Sequence, residues 1–229
     1  PYILAGQGVL LSNASAELRA FSEKTGIPVA CTLLGLGCFP CDHPNYVGYL
    51  GMHGNYGTNV LTNACDVLIG IGMRFDDRVT GNVSKYAKQA KIIHIDIDKA
   101  EINKIIKTDA FVHADAREAL SALTDACVAA NRSEWISKFT ELNDKEYEQV
   151  IRKDINSDGE LRMAEVIHEL STQAKGTAVV VSDVGQHQMI TSRYYRLSDP
   201  RTHITSGGAG TMGFALPAAM GAKLAVPDR

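Results

Sequence analysis

The chain has 229 residues, 45% of them hydrophobic and 21% charged, with 23 basic and 26 acidic side chains. That composition excludes a wholly disordered chain, and a near balance of charge with no basic run leaves nucleic-acid binding without an electrostatic footprint. No apolar run is long enough to span a membrane, while the length suffices for a sizeable core and about one and a half domains at ~150 residues each. The chain opens Pro1-Tyr2-Ile3-Leu4, without a Met or a charged region leading into a long apolar stretch, so no signal peptide is expected. It stops at Pro227-Asp228-Arg229 straight after an apolar helix-like stretch, which reads as an excerpt of a longer protein. Five cysteines, an odd number, favour a reducing, cytosolic compartment. The Asn-x-Ser/Thr triplets at Asn13, Asn82 and Asn131 carry no meaning there.

In chain order, residues 2–5 form a short apolar strand ending in Gly6-Gln7-Gly8, and residues 14–24 have helical character. Residues 27–30 are a second strand candidate and 55–64 a helix. Residues 66–72 and 90–97 are strong buried-strand signals. A short strand near 111–113 precedes a helix over 115–129. Strands alternating with helices, several ending in Gly or Asp, predict an α/β fold whose parallel sheet is covered on both faces. Ligands then bind at the carboxyl ends of the strands. Residues 130–160 are polar and charged and read as an interdomain connector, with Trp135, Ile136, Phe139, Leu142 and Tyr147 spaced for one helical face. A second alternation follows: helix 163–172, strand 177–182, a helix from about Gln186, a glycine-rich loop 206–213 and an apolar helix 214–225. The domains read as 1–129, a connector 130–160, and an unfinished unit 161–229.

Several segments can carry chemistry. Gly6-Gln7-Gly8 sits between a strand and a helix, where glycine lets backbone approach a phosphate, but the third glycine of G-x-G-x-x-G is Leu11 and a tight turn fits as well. Asp96, at a strand end before Ile97 and Asp98, suits either a ribose diol or a helix cap. Gly72-Met73-Arg74-Phe75-Asp76-Asp77-Arg78 sets two arginines at a strand's carboxyl end, as a polyanionic ligand requires; a solvated ion-pair loop is the plain alternative. The glycine-rich loop 206–213 lies ahead of an apolar helix and suits close approach of a ligand, with a plain flexible connector as the alternative. Gly185-Gln186-His187-Gln188-Met189 follows a strand, where polar side chains can meet a heterocycle or pyrophosphate, although a lone His there is more often structural.

In order, LAGQG, TLLGLG, LGMHG, GMRFDDRVTG, HIDID, GQHQM and SGGAGTMGFALPAA strongly resemble the catalytic subunit of acetohydroxyacid synthase (acetolactate synthase), across essentially the whole chain. The resemblance implies a Rossmann-like, DHS-like FAD-binding central domain and the beginning of a second α/β thiamine-binding domain. It implies thiamine diphosphate, Mg2+ and FAD as cofactors, the FAD mostly structural. It sets FAD against Gly6, Gln7, Gly8, Thr32, Leu33, Leu50, Gly51, Met52, His53, Gly72, Met73, Arg74, Phe75, Asp76, Asp96, Ile97, Asp115, Ala116, Gly207 and Gly208. It sets thiamine diphosphate against Gln186, His187, Gly210, Thr211 and Met212, with Met212 wedging that cofactor into a bent shape. The family often has three consecutive glycines where this chain has Gly6-Gln7-Gly8. The catalytic glutamate belongs to an N-terminal domain and the metal ligands to a segment after Arg229, so no catalytic or metal residue is expected here and the excerpt alone is expected to be inert. The implied reaction is decarboxylation of pyruvate and carboligation to pyruvate or 2-oxobutyrate, for branched-chain amino acid synthesis. The implied assembly is a homodimer or homotetramer with a regulatory small subunit, in a bacterial cytoplasm or a eukaryotic stroma or matrix. Neither nucleic acid nor membrane is an expected partner. A pyruvate oxidase, a glyoxylate carboligase or a non-catalytic nucleotide-binding module are the rival readings.

Two motifs point elsewhere. Asp154 to Glu165 fits the EF-hand calcium loop, but EF-hands usually come in pairs and Arg162 is out of place, so a linker leading into the next helix is expected. Cys38-Phe39-Pro40-Cys41 with His43 resembles a redox pair or half a zinc site, without a second ligand pair or a helical context. His168-Glu169 lacks the second His of a zinc-protease motif.

Overall fold

The structure, a computed structural model, describes residues 1–156 and 159–229. Its first element is β1 (Tyr2–Ala5), buried throughout. A one-turn helix α1 (Gln7–Leu11) and α2 (Ser15–Thr25) lead to β2 (Val29–Cys31), a 3-10 turn at Leu33–Gly35 and β3 (Tyr46–Tyr49). Then come α3 (Tyr56–Thr62), β4 (Val67–Ile71), α4 (Asp77–Thr80), β5 (Lys91–Asp96), β6 (Ala110–His113) and α5 (Ala116–Ala126). All six strands are parallel, in the order β3-β2-β1-β4-β5-β6. The chain builds outward from β1 to β3, then crosses back to pair β4 on the other side of β1. Neighbouring connections therefore part company between β1 and β4, which opens a crevice at their carboxyl ends.

Side chains alternate across each strand, so the two faces have separate cores. Ile3, Ala5, Val29, Ile69, Ile71 and Ile95 pack with Leu18 and Phe21 of α2 and Leu120 of α5. Tyr2, Leu4, Ala30, Val47, Leu68 and Ile92 pack on the opposite face with Leu61 of α3. Parallel strands buried on both faces need continuous apolar runs, which is why β1, β4 and β5 were the clearest in the sequence.

Part of the region expected to be a connector also completes this second face. Helix α6 (Ser133–Glu146) packs on α3, with Phe139 fully buried. Phe139 meets Tyr2 at 5.0 Å and Trp135 at 5.1 Å between ring centroids, and Trp135 Nε1 donates to Pro1 O at 2.9 Å. Leu142 joins the same face. Ile136 borders a groove toward Glu23 and Asn45, and Tyr147 is exposed, because the helix passes into a π turn (Tyr147–Ile151) that rotates the stripe.

A short α7 (Arg152–Ile155) precedes the second unit: α8 (Met163–Ala174), β7 (Val180–Ser182), α9 (Gln186–Tyr194), β8 (His203–Thr205) and α10 (Ala215–Ala225). β7 and β8 pair in parallel. Helix α10 buries none of its residues, and Leu216, Met220 and Leu224 are exposed. Among the described residues no helix is long and apolar enough to cross a membrane. Phe139→Ala should destabilise the protein by about 3–5 kcal/mol, read from chemical denaturation, because it empties the centre of an aromatic cluster.

Candidate functional site

The carboxyl ends of all eight strands open into one cavity of about 910 Å³. That lies within the range of cofactor sites, about 300–1,000 Å³. Of the twenty residues expected against FAD, all but Gly6, Gly51 and Phe75 border it. Gly210 does too, whereas Gln186, His187, Thr211 and Met212 do not.

The glycines at the crevice form the tight turn that the sequence allowed, and Gly8 and Gly72 also border the cavity. Gly6 N donates to Ile71 O and Gly8 N to Gly72 O, each at 2.9 Å. A Cβ at Gly8 would lie 2.6 Å from Gly72 Cα, and one at Gly6 would run into Gly72 O. Gly72 itself holds a left-handed φ of +56°. Two strand-end turns touch backbone to backbone here, and only glycine allows it.

Past Gly72 the loop splits in direction. Phe75 turns down, buried against His94 at 5.0 Å and Tyr86 at 6.4 Å. It forms the floor and does not meet the cavity. His94 Nε2 donates to Met73 O at 2.9 Å and holds the loop from below. Arg74 and Arg78 turn up and are exposed. Arg74 reaches Asp76 Oδ2 at 3.3 Å, and Arg78 lies 3.7 Å from Asp77. Exposed pairs of this kind are worth little, so both guanidiniums remain available to an anion. Asp76 Oδ1 accepts the Arg78 N–H and starts α4.

At the β5–β6 end stand Asp96, Ile97 and Asp115. Asp96 Oδ1 accepts Asp98 N at 2.8 Å and Asp115 Oδ1 accepts Arg117 N at 2.9 Å. Both carboxylates cap the backbone and also border the cavity. At the other end, Met52 N donates to Arg78 O at 2.8 Å, while Gly51 is held by Asn59 through two bonds of 2.9–3.0 Å and is turned away from the cavity. His53 O and Gly54 O accept from Arg193 of α9, whose guanidinium pairs with the buried Glu146 of α6.

The second unit closes the cavity with Val184, Gly185, Gln188, Met189 and residues 206–210. Gly207 lies against Leu34, and Arg201 donates to Leu10 O at 3.0 Å. The resemblance did not set Leu34, Glu101, Gln188 or Met189 against a cofactor, though all four border the cavity; Gln188 and Met189 belong to the segment 185–189 already marked as open to a heterocycle or pyrophosphate. The spacing of Gly185, Gln188 and Met189 is that of one helical face, a signal that was present. Gln186 and His187 begin α9 on its exposed side, and Thr211 and Met212 are exposed in the loop before α10. These four form an open surface beside the cavity, with Gly210 between the two.

The other motifs come apart in the structure. Ser157 and Asp158 of the calcium-loop match lie outside the described residues; Asp154 instead accepts from Tyr194 at 2.6 Å and Arg162 at 3.2 Å. Cys38 Sγ is 3.7 Å from Cys31 Sγ, not paired with Cys41, which lies 3.2 Å from Ser198 Oγ. His43 meets Glu23 at 3.2 Å. All five cysteines are free. Among the described residues no three His, Cys, Asp or Glu side chains gather as a metal site.

Residues 1–123 match the family described as thiamine pyrophosphate enzyme, central domain. The chain belongs to the thiamine pyrophosphate enzymes. Residues 183–229 of this family member match the C-terminal, thiamine pyrophosphate-binding domain. It is 42% identical over 234 residues to an acetolactate synthase large subunit of Buchnera aphidicola, covering 99% of this chain and 40% of that protein. It is 45% identical over 230 residues to the acetolactate synthase large subunit of Lactococcus lactis, covering 100% and 39%. It is 38% identical over 232 residues to acetolactate synthase isozyme 3 large subunit of Escherichia coli, covering 100% and 40%. The chain thus spans about 40% of the length of the curated relatives it matches.

His203, where β8 meets Leu33, provides a test of how the two units dock. Burial pushes its imidazole down to about 4, against a smaller opposing pull from the Leu33 backbone, and Nε2 has no partner. A depressed histidine pKa means the unfolded chain binds the extra proton first. Its contribution is therefore complete above about pH 6.5 and declines as pH falls toward 4. The wild type should lose about 1 kcal/mol per pH unit in that window from this group. His203→Gln should lack that share of the decline in denaturation curves at pH 7.5 and 5.

Proposed function

We propose that this chain is part of an acetolactate synthase large subunit, which joins two molecules of pyruvate, or pyruvate and 2-oxobutyrate, with loss of carbon dioxide. The observation that carries the reading is the cavity shared by both units, with arginines at its middle and carboxylates at one end. It suits an extended dinucleotide such as FAD. Arg74 and Arg78 would meet the pyrophosphate, since guanidinium binds phosphate oxygens bidentately. Asp96 and Asp115 would accept hydrogen bonds from the ribose end. Thr32, Leu33, Met52, His53, Gly207 and Gly208 would enclose the rest; at Gly208 a Cβ would find open space, so backbone there is free to approach a ligand.

We place thiamine diphosphate on the open surface of Gln186, His187, Gly210, Thr211 and Met212, inside the segment that matches the thiamine-binding domain. When bound, thiamine diphosphate supplies the carbon nucleophile and electron sink for decarboxylation and transfer. The chain's own part is shape. Met212, largely exposed and followed by Gly213, presents an apolar prop for the cofactor's bend. Gln188 and Met189 separate that surface from the FAD cavity. Mg2+ would be held by residues other than those described. The relatives are named large subunits, which supports a smaller partner chain. We assign residues 1–129 to the FAD-binding unit, 130–160 to the segment between, and 161–229 to the thiamine unit.

The test is product formation by the full-length protein supplied with pyruvate, thiamine diphosphate, Mg2+ and FAD. Acetolactate should appear without oxygen uptake. Oxygen consumption with hydrogen peroxide, or no use of pyruvate at all, would overturn the assignment.

A further inference from the structure

The loop that carries Thr211 and Met212 has no side-chain anchor of its own at its far end. Helix α10 begins at Ala215, and its N-cap residue Phe214 offers no side-chain cap. The missing acceptor arrives from another strand. Asp183, directly after β7, accepts Gly213 N through Oδ2 at 2.9 Å and Oδ1 at 3.1 Å, and Ala215 N lies 3.5 Å from Oδ2. The same carboxylate accepts Val184 N at 2.8 Å. Gly213 holds φ at +81°, a conformation that aims its N–H back at β7 and that side-chain-bearing residues rarely adopt.

The near end of the loop is pinned too. Ser206 O accepts Gly210 N at 3.1 Å and Ser206 Oγ accepts Thr211 N at 3.0 Å. The Thr211 side chain and the whole of Met212 extend from the stretch these pins hold, and both residues are exposed. Their placement therefore follows from the two pins and not from packing. Ser206 is local to the loop. Asp183 links it by hydrogen bonds to the strand whose next turn leads into Gln186 and His187.

We propose that Asp183 is a positioning residue for the thiamine site: its carboxylate fixes Met212 relative to Gln186 and His187, so that the prop and the polar contacts face one cofactor together. This rests on the thiamine assignment given above. Charge-assisted bonds to backbone N–H groups at a helix start are strong and directional. The backbone bonds from Val184, Ala215 and Gly213 also hold the Asp183 carboxyl below its ordinary range, so it is ionised and purely an acceptor at neutral pH.

The experiment uses the full-length protein with Mg2+ and thiamine diphosphate, comparing wild type, Asp183→Ala and Asp183→Asn. Asp183→Ala should raise the Kd for thiamine diphosphate about tenfold, since it removes charged acceptors from loop N–H groups. At saturating cofactor it should slow hydrogen–deuterium exchange at the thiazolium C2 by a similar factor, because a loose loop no longer holds the bend. Asp183→Asn keeps one oxygen for Gly213 N–H and should recover part of both, at an unchanged melting temperature. Wild-type affinity and exchange rate in Asp183→Ala would overturn the proposal alone. So would equal losses in both variants that track a fall in melting temperature, the signature of a merely structural residue. If the wild type itself failed to bind thiamine diphosphate, the underlying assignment would fall and this proposal with it.

Discussion

The turns leaving β1 and β4 approach so closely that Gly8 Cα and the Cα of Gly72 leave no room for a Cβ on either residue. The contact sits where the strand order reverses, at the centre of the six-stranded sheet. Because the two turns touch, the segments that leave them diverge: α1 goes to one side, and the Met73–Arg78 loop goes to the other. The crevice between these segments is the mouth of the cavity. A larger residue at Gly8 or Gly72 would push the turns apart and move Gln7 and Arg74 together. The position of the arginines is thus a consequence of backbone packing beneath them, reinforced by Phe75 and His94 as a buried floor.

The second unit shares in the cavity, because polar bonds fix it to the first. Arg193 ties α9 to the loop that carries Met52 and His53, and Glu146 of α6 neutralises it in a buried place. An unpaired charge there would be costly, which makes the pair a specific lock and not a general adhesive. Gly207 against Leu34 and Arg201 against Leu10 O complete the seam. The ends of β7 and β8 consequently face the ends of β1 and β2. A dinucleotide in the cavity would touch both units, and the open surface proposed for thiamine diphosphate lies just beyond it.

Much of this was legible in the sequence, for definable reasons. β1, β4 and β5 are buried on both faces and therefore appear as unbroken apolar runs. β3 was missed because its YVGY lies in a stretch crowded with Gly, Pro and polar residues, and β8 because three residues give no period. Residues 133–146 read as a polar connector since only one stripe of α6, Trp135 with Phe139 and Leu142, is turned inward. Strand-end loops could be named from glycine and charge, but not the direction of each side chain. Phe75 was grouped with its charged neighbours and points the opposite way. Asp183 carried no motif at all; its role exists only once β7 and the loop before α10 are side by side.

We propose that one cavity, built from the strand ends of both units, holds FAD with its pyrophosphate near the arginines. The most direct measurement is a titration of FAD with the full-length protein, following flavin fluorescence, with NAD as the control ligand. The account predicts saturable quenching by FAD, no displacement by NAD, and affinity lowered about tenfold in Arg74→Ala through the lost charge-assisted bonds. Folded protein that leaves flavin fluorescence unchanged, or an Arg74→Ala variant that binds FAD as tightly as the wild type, would contradict it.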